Sequence, residues 1–482
     1  MDAETIAVRV AAGELRGTGE AGLGVFRGIP FARPPVGELR FAAPRPVASW
    51  EGARDAMQFG PPPPQAGFFG MDALVRASDD WLTLNVWTPD FGARLPVMVW
   101  IQGGGYGIGV SSLPEYDGAC LARDGVVVVT FNYRVGVEGF GQIDGMPANR
   151  GLLDQVAALE WVRDNIHAFG GDPDQVTIFG ESAGGGSVAA LMAMPRAAGL
   201  FHRAIAQSVP GTFFHPALAS DITAALGLPN LSEVEPRKLA EAADAVMARI
   251  GECTPRWGLA AQRAILFAPV VDGDILPATP WQALADGAGR DVDLVVGHTR
   301  DEHRLFMVIE GLLGTVTPEQ AANAMETFAP QPYGHGEPEQ LYELVHSDWL
   351  FRMPSLHLAE SQIIGGGRAH LYELTWPGAL GACHGLDVPL VFGNLAVGGP
   401  AMLIGGKPEA AELSARMREA WIGFATTGDP GWPTYDAERR LTQVFDSTSI
   451  VTPYPEDDSR QAWRDHRFDP LPLLDPTTRV VR

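Results

Sequence analysis

Two short stretches of the chain are apolar without a break, over 95–101 and 126–131. Such runs indicate strands that are buried on both faces, as in a parallel sheet covered by helices. Between residues 149 and 170 the period changes, because apolar side chains recur there at helical spacing, at Leu152, Val156, Leu159, Val162, Ile166 and Phe169. A β-rich run over 176–179 comes next. Strand, helix and strand in this order predict a βαβ unit, and its repetition predicts a doubly wound α/β sheet.

The ends of the predicted helix carry capping residues. Asn149 is a candidate N-cap, and Gly170 with Gly171 is a candidate stop signal. Looser alternation of apolar and polar residues predicts edge strands at the start of the chain. The remaining elements predicted from the pattern are edge strands over 8–16 and 23–27, strands over 82–87, 294–297 and 370–376, and an amphipathic helix over 413–426.

The length of 482 residues corresponds to about three domains, yet large α/β enzymes of this size often fold as one. We therefore expect a single domain over 1–482. Two helix-rich, less regular stretches, 211–262 and 306–369, are predicted to be insertions that pack over the sheet and the active site. The proline-rich segment 61–81 is predicted to be a loop. Its apolar group at Phe68, Phe69 and Met71 gives it the character of a lid.

Composition narrows the class of partner. The net charge is 35 − 58 = −23, which disfavours nucleic acid and anionic membranes as partners. No stretch approaches the roughly 20 apolar residues of a membrane helix, so integral membrane association is not expected. The first residues show neither a basic region nor a leading apolar segment. Three scattered cysteines, Cys120, Cys253 and Cys383, cannot form a disulfide framework, and a reducing, cytoplasmic location is predicted.

The strongest chemical signal is Gly180-Glu181-Ser182-Ala183-Gly184, between the 176–179 strand and an alanine-rich segment suited to a helix. A nucleophile elbow needs small residues two before and two after the serine, because the turn is too tight for larger side chains. The serine then stands at the head of the helix, where the next backbone N–H can stabilise an oxyanion. Ser182 is therefore the predicted nucleophile.

Chain order narrows the choice of base and acid. In α/β-hydrolases the order is serine, then aspartate or glutamate, then histidine, each on a loop after a strand. His384 lies in a glycine-flanked loop after the 370–376 strand, and Asp301 and Glu302 follow the 294–297 strand, so either carboxylate is a candidate. His298 and His303 are rivals as base, but they share the loop of the acid, and we expect them to face solvent.

A glycine-rich loop follows the buried 95–101 strand. Gly103, Gly104 and Gly105 are consecutive, which allows their backbone amides to approach a substrate closely. This loop is the predicted second half of an oxyanion hole. A phosphate-binding loop is a weaker interpretation, since the sequence has neither the P-loop spacing nor a nearby lysine.

Several ordered motifs resemble the type-B carboxylesterases, a branch of the α/β-hydrolases that includes cholinesterases, fungal lipases and bacterial para-nitrobenzyl esterases. The likeness runs almost from end to end. The motifs that carry it lie at 28–41, 78–89, 132–134, 169–173, 180–185, 424–430 and 432–433. The resemblance implies an α/β-hydrolase fold, with a mostly parallel central sheet, helices on both faces and helical insertions over the active site.

The same resemblance implies roles for individual residues. The family's Asp-Glu pattern makes Glu302, not Asp301, the acid, and the oxyanion donors carry over to the backbone of Gly104, Gly105 and Ala183. It also suggests Glu181 as a buried carboxylate beside the site and Ser208 as a partner of the acid. Either of these two residues could equally be ordinary packing.

The chain departs from the family at informative positions. Secreted members have a cysteine where Trp81 stands and another near Pro63, which close a loop; here both are absent, consistent with a reducing compartment. Gln102 stands where histidine or an aromatic residue is usual. It could alter the rigidity of the glycine loop or contact the substrate. Tyr106, in the same loop, is a further candidate pocket residue.

These features predict a serine carboxylesterase that hydrolyses small to medium uncharged esters through an acyl-serine, without a metal or cofactor. Activity should fall as pH drops through the pKa of His384, near ~6.5 if unperturbed. The alternatives are carbamate or amide hydrolysis, a lipase, or a catalytically silent interaction protein on the same fold. We expect a monomer or a homodimer.

Overall fold

A computed structural model of the chain describes residues 4–65 and 79–475. Within these ranges, thirteen strands form one sheet, in the order β1-β2-β3-β5-β7-β6-β8-β9-β10-β11-β12-β13, with β4 beside β2. The strands are β1 Glu4–Val10, β2 Gly13–Glu20, β3 Leu23–Pro30, β4 Ala53–Asp55, β5 Thr83–Thr88, β6 Leu95–Ile101, β7 Val127–Phe131, β8 Gly171–Glu181, β9 Arg203–Gln207, β10 Asp293–Thr299, β11 Ala369–Leu374, β12 Leu441–Phe445 and β13 Ile450–Pro453.

The middle of the sheet is parallel and its two margins are antiparallel. Strands β7, β6, β8, β9, β10, β11 and β12 each run parallel to the next. The side chains of β6 show why its sequence is apolar throughout. Val97, Val99 and Ile101 enter the core on one face, whereas Met98 and Trp100 enter the core on the other. Burial on both faces removes the polar positions that a half-exposed strand would have.

Helices cover both faces of the sheet, which confirms the predicted α/β-hydrolase fold. On one face, apolar residues of α3 Arg150–Asn165 and α4 Ala183–Ala193 belong to the larger core. On the other face, α16 Ala410–Thr427 and α14 Asp387–Phe392 contribute to the second core. The described helices outside the two predicted insertions also include α1 Ala119–Arg123, α2 Gly136–Phe140, α9 Pro280–Ala285, α15 Ala401–Ile404 and α17 Asp457–Trp463.

The stretches predicted to be insertions are rich in helices. The first stretch contains α5 Pro216–Ala224, α6 Pro236–Met247, α7 Thr254–Trp257 and α8 Leu259–Gln262. The second stretch contains most of α10 Arg304–Ile309 and all of α11 Pro318–Phe328, α12 Pro338–Ser347 and α13 Met353–Ile364. Helix α11 begins with a capping box, in which Thr317 and Gln320 each bond the other's backbone. The division of the chain into one domain with two insertions stays a prediction.

The start of the chain differs from the predicted edge strand over 8–16. The structure has a hairpin there, with Val10 of β1 paired to Gly13 of β2. The turn between them is held from a distance, since the backbone N–H of Ala11 donates to Asn165 Oδ1 at 2.8 Å. Ala11 and Asn165 are 154 positions apart in the sequence. The local alternation of apolar and polar residues does not reveal such a distant contact, so it could not divide the predicted strand into β1 and β2.

Asn149 does not act as the predicted N-cap. Its backbone adopts φ 53°, and its side chain bonds the backbone of Val270 instead, donating to the carbonyl and accepting from the N–H at 2.7 Å each. The predicted helix also ends early, because residues Ile166–Phe169 tighten into a 3-10 turn before Gly170. The amide of Asn149 therefore ties the start of α3 to a distant loop.

Part of the predicted lid lies outside the described residues. This includes Phe68, Phe69 and Met71. Residues 61–65 before the gap and 79–81 after it are described. None of the helices in the described ranges combines the length and the hydropathy needed to cross a membrane.

Candidate active site

Ser182 stands at the turn between β8 and α4, as the sequence predicts. Its backbone has φ 58° and ψ −125°, a conformation that L residues rarely adopt. The neighbouring glycines make the turn possible. A Cβ on Gly184 would lie 2.0 Å from the carbonyl oxygen of Ile101, and one on Gly180 would lie 2.7 Å from the backbone of Gly184. The turn therefore holds a half-buried serine side chain in a strained, fixed position.

The glycine loop after β6 runs past this turn. A Cβ on Gly103 would lie 2.9 Å from the Glu181 carbonyl oxygen and 3.2 Å from Ser182 Cβ. Gly104 and Gly105 are exposed and have φ of 112° and 58°, which favours glycine. The N–H of Ala183, in the first turn of α4, has no acceptor within its own helix. The glycine loop and the start of α4 thus bring backbone N–H groups to the neighbourhood of Ser182.

His384 and Glu302 come from the loops that follow β11 and β10, and they meet in a short hydrogen bond. His384 Nδ1 and Glu302 Oε2 are 2.6 Å apart. The other carboxylate oxygen, Oε1, accepts from Ser208 Oγ at 2.6 Å and from the Thr299 N–H at 2.9 Å. Glu302 is fully buried, and each of its oxygens is held by a donor. Ser208 therefore bonds Glu302, the carboxylate that the resemblance names as the acid.

Asp301, the alternative acid, points elsewhere. Its carboxylate accepts from the backbone N–H of Ala382 at 2.9 Å and pairs with Arg300 at 3.0 Å. These contacts fasten the loop of the acid to the loop that carries His384. Geometry therefore separates the two carboxylates that chain order alone left open.

Glu181 lies against the other side of the imidazole. His384 Nε2 is 3.1 Å from Glu181 Oε1, within ion-pair distance. In the described part of the chain, however, this oxygen has no partner with the geometry of a hydrogen bond, so the ring nitrogen does not point directly at it. Because Glu181 immediately precedes Ser182, the contact places the imidazole beside the turn of the serine. Glu181 is buried, as the resemblance implied.

The carboxylates dominate the electrostatics of the imidazole. Burial alone would lower the pKa of His384, but Glu181 and Glu302 outweigh it and raise this pKa above the usual histidine value. Burial raises the pKa of Glu302, and the bonds from His384, Ser208 and Thr299 override it, so the net pKa of Glu302 is lowered. Burial raises the pKa of Glu181. The lowered pKa favours the ionised form of Glu302 beside the imidazole, whereas burial disfavours the ionised form of Glu181.

Two aromatic rings that no sequence motif singles out contact His384. Phe351 stacks on the imidazole with ring centroids 4.2 Å apart and an interplanar angle of 25°, and Phe306 lies at 5.2 Å. Phe351 belongs to a π-helical turn, Asp348–Arg352, before α13. Such turns are frequent at functional sites, but the apolar pattern of the sequence does not reveal them.

Gln102 has no exposed surface, which argues against a direct contact with substrate. Its amide nitrogen lies 3.1 Å from the position that a Cβ on Gly109 would take, on the inner side of the glycine loop. Tyr106 is also buried, and its ring packs at 4.8 Å from that of Phe140. Burial of Gln102 favours an effect on the loop, one of its two predicted roles, over a contact with the substrate, and Tyr106 is buried rather than exposed to a pocket.

The expectation that His298 and His303 face solvent was wrong, since both are fully buried. His298 contacts Tyr454 Oη at 2.9 Å and the carbonyl oxygen of Thr299 at 3.0 Å. His303 packs against the ring of His346, with centroids 4.6 Å apart. Burial lowers the pKa of both histidines. They serve as neutral packing residues, because His298 lies on β10, between β9 and β11, and His303 lies directly before α10.

The comparisons with known proteins agree with this geometry. The model of the carboxylesterase family matches residues 4–331. A para-nitrobenzyl esterase of Bacillus subtilis (strain 168) is 39% identical over 489 residues, which cover 93% of this chain and 96% of the relative. The chain belongs to the carboxylesterase family. A phenmedipham hydrolase of Pseudarthrobacter oxydans is also similar to this carboxylesterase, at 36% identity over 89% of the chain and 92% of the relative.

Solved structures of the family share the fold. A structure of a PNB esterase aligns with a TM-score of 0.82 and 36% identity, covering 95% of this carboxylesterase and 99% of that chain. A carboxylesterase of Geobacillus stearothermophilus gives the same TM-score and the same coverage. These findings confirm the predicted family and the predicted enzyme class, a serine carboxylesterase. They leave no support for the alternative of a catalytically silent protein.

Proposed function

We propose that this carboxylesterase cleaves esters through an acyl-enzyme on Ser182, with His384 as the base and Glu302 as the acid that orients it. The observation that carries the proposal is the 2.6 Å hydrogen bond between His384 Nδ1 and the buried Glu302, beside the strained turn of Ser182. A serine hydroxyl is a weak nucleophile and needs a base that a third group holds in place.

In the first step, Ser182 Oγ attacks the carbonyl carbon of the ester while His384 Nε2 accepts the hydroxyl proton. The tetrahedral intermediate then collapses, the C–O bond to the alcohol breaks, and His384 returns the proton to the departing alkoxide. Water repeats the sequence on the acyl-serine and releases the carboxylic acid. Glu302 keeps a proton on Nδ1, which leaves Nε2 free to accept.

The backbone N–H groups of Gly104, Gly105 and Ala183 are the proposed oxyanion donors. Glycine at the first two positions exposes the peptide backbone, and no side chain separates it from a substrate oxygen. The third donor lies at the start of α4, where the helix dipole also favours negative charge. Each such donor contributes about 3–4 kcal/mol to transition-state stabilisation in comparable hydrolases.

Small to medium uncharged esters are the proposed substrates, and para-nitrobenzyl esters are included because of the similarity to the esterase named for them. The carboxyl of Glu181 beside the imidazole disfavours an anionic acyl group at that point. The same residues could cleave carbamates or amides. Comparison of p-nitrophenyl esters with matched anilides separates these activities, and a rate jump above the solubility limit of the substrate would identify a lipase.

The acid limb of the pH profile is predicted to lie above the usual histidine range. His384 must be neutral to accept the proton of Ser182, and the two carboxylates raise its pKa. Therefore kcat/KM for p-nitrophenyl acetate should rise with pH through that raised pKa and fall below it. Glu181→Gln removes one of the carboxylates and should shift the limb to lower pH, as measured from about pH 5 to about pH 10.

Glu310→Gln is the matched control for this shift. Glu310 is an exposed carboxylate that pairs with Arg263 at 3.3 Å and is not among the groups that shift the pKa of His384. Its substitution should leave the limb in place. A limb that moves equally in both variants, or stays fixed in Glu181→Gln, would contradict the electrostatic role given to Glu181.

A p-nitrophenyl alkylphosphonate tests the proposed nucleophile directly. Ser182 Oγ should displace p-nitrophenolate at phosphorus, so that one equivalent of p-nitrophenolate is released per chain as activity disappears. Peptide mass spectrometry should find the adduct on Ser182. The variant His384→Ala should remain unlabelled on the same time scale, because its serine lacks a base. Stoichiometric inactivation with an adduct on another residue would refute the assignment.

A reducing, cytoplasmic compartment remains the proposed location. Cys120, Cys253 and Cys383 are all unpaired among the described residues, and Cys383 is buried. Burial raises the pKa of the Cys383 thiol, to about 12, which keeps it in the unreactive protonated form beside His384. The expectation of a monomer or a homodimer stays a prediction.

A further inference from the structure

The side chain of Gln65 is bonded to the backbone of the glycine loop at both ends of its amide. Gln65 Nε2 donates to the carbonyl oxygen of Gly109 at 3.0 Å, and the N–H of Gly109 donates to Gln65 Oε1 at 2.9 Å. Gln65 is half-buried and Gly109 is buried. A side-chain amide can donate and accept in this paired way at any pH, whereas an ionised carboxylate lacks the donor and an apolar side chain lacks both.

Gly109 is the residue at which the glycine loop closes on itself. Its φ of 136° favours glycine, and a Cβ there would lie 3.0 Å from the carbonyl oxygen of Gly103. Between these two residues, the carbonyl oxygen of Gly104 accepts from the N–H groups of Gly107 and Ile108 at 3.1 and 3.2 Å. The position of Gly109 therefore sets the position of the backbone that carries the proposed oxyanion donors.

A second amide anchors the same two segments to the sheet. Asn132, directly after β7, donates to the carbonyl oxygen of Pro61 at 3.1 Å and accepts from the N–H of Ser111 at 2.8 Å. Residues 61–65 thus lie along residues 109–111 and are fixed at both ends. Because Asn132 fixes the backbone at Pro61, the backbone near Gln65 is also held in place, and the Gln65 amide can in turn hold Gly109.

We propose that Gln65 is a positioning residue for the oxyanion hole: it holds Gly109, and through Gly109 the orientation of the Gly104 and Gly105 N–H groups. This inference rests on the proposed function of those groups as oxyanion donors. Gln65 does not bind substrate in this role. Its loss should therefore weaken interactions made only in the transition state, which lowers kcat and leaves KM almost unchanged.

Two variants at Gln65 test the proposal. Gln65→Ala removes both bonds to Gly109, and Gln65→Glu keeps the acceptor but sets a carboxylate against the carbonyl oxygen of Gly109. For p-nitrophenyl butyrate, kcat should fall about tenfold in each, a fraction of the 10²–10³-fold effect of deleting a donor outright. KM should change less than about threefold, and the Ki of an alkyl trifluoromethyl ketone, which forms a tetrahedral adduct, should rise in parallel with the loss of kcat.

The pH dependence of Gln65→Glu gives a signature that a purely structural role lacks. A protonated carboxyl can donate to Gly109, so the ratio of kcat in this variant to kcat in the wild type should rise as pH falls toward the usual glutamate range, near ~4.3. The corresponding ratio for Gln65→Ala should stay flat. Measuring ratios removes the loss of activity that protonation of His384 causes in every variant.

Gln362→Ala is the matched control for general loss of stability. Gln362 is a buried glutamine on α13 whose amide donates to the carbonyl oxygens of Gly289 and Val292, both at 2.8 Å. Gly289 and Val292 lie before β10, at the opposite end of this strand from Glu302. This variant should lower the melting temperature and leave kcat and the Ki of the ketone unchanged.

Three results would overturn the role of Gln65. They are a kcat within twofold of the wild type in both variants, a kcat loss with unchanged ketone affinity, and a ratio for Gln65→Glu that does not respond to pH. The proposed function fails separately, since it requires that Ser182→Ala abolish turnover. An inactive Ser182→Ala beside fully active Gln65 variants would reject the positioning role alone.

Discussion

Replacing Ser182 with alanine is expected to lower kcat for p-nitrophenyl butyrate by about a million-fold, the size of effect seen when a triad serine is removed. The loss is that large because His384 has no other hydroxyl to activate at the turn, and the remaining backbone donors contribute only a small residual rate. The turn itself should persist, since alanine suits the neighbouring glycines as well as serine does. Substrate binding should therefore remain while the chemistry stops.

The measurement is kcat in purified Ser182→Ala, with the background rate of the reagents subtracted. Ser414→Ala is the matched control, because Ser414 is a buried serine on α16 whose hydroxyl donates to the carbonyl oxygen of Leu390 at 2.7 Å. It should keep wild-type kcat. Ser182→Gly adds a test of backbone strain, since glycine adopts φ 58° freely and should be more stable than alanine there by about 1 kcal/mol. Undiminished turnover in Ser182→Ala would reject the nucleophile.

The sequence predicts well those parts of the fold and site that depend on residues close together in the chain. The unbroken apolar runs of β6 and β7 mark strands buried on both faces, and the elbow around Ser182 needs small residues at fixed offsets. His384 could be chosen from eleven histidines because chain order and the loop after a strand restrict where a base can stand. Each of these signals lies within a few residues of the position that it predicts.

The features that the sequence did not predict depend on contacts between distant residues. The hairpin turn at Ala11 is held by Asn165, and Asn149 bonds Val270 instead of capping its helix. His298 is buried because its strand, β10, lies between β9 and β11, and the stacking of Phe351 on His384 depends on a π-helical turn. The local periodicity of apolar residues does not show which distant residues pair, so secondary-structure propensity and hydrophobic pattern alone could not predict these contacts.

Glu302→Gln is expected to lower kcat by about 10⁴-fold, because it should place the proton of His384 on the wrong nitrogen. The carboxylate oxygen Oε1 accepts a hydrogen bond from the backbone N–H of Thr299, and a backbone N–H cannot rotate to become an acceptor. In the glutamine variant the amide oxygen must take that place, so the NH₂ group faces His384 Nδ1. Nδ1 then becomes an acceptor, the ring proton moves to Nε2, and Nε2 can no longer accept the proton of Ser182.

Asp301→Asn is the control that separates this tautomer effect from the loss of any carboxylate in the loop. Asp301 pairs with Arg300 and accepts from Ala382 but does not contact His384, so its variant should lose less than about tenfold in kcat. Both variants remove one negative charge and preserve side-chain volume, so only their geometry toward the imidazole differs. Equal losses in the two would mean that charge near the loop matters and orientation does not. A larger loss in Asp301→Asn would exchange the roles of the two carboxyls.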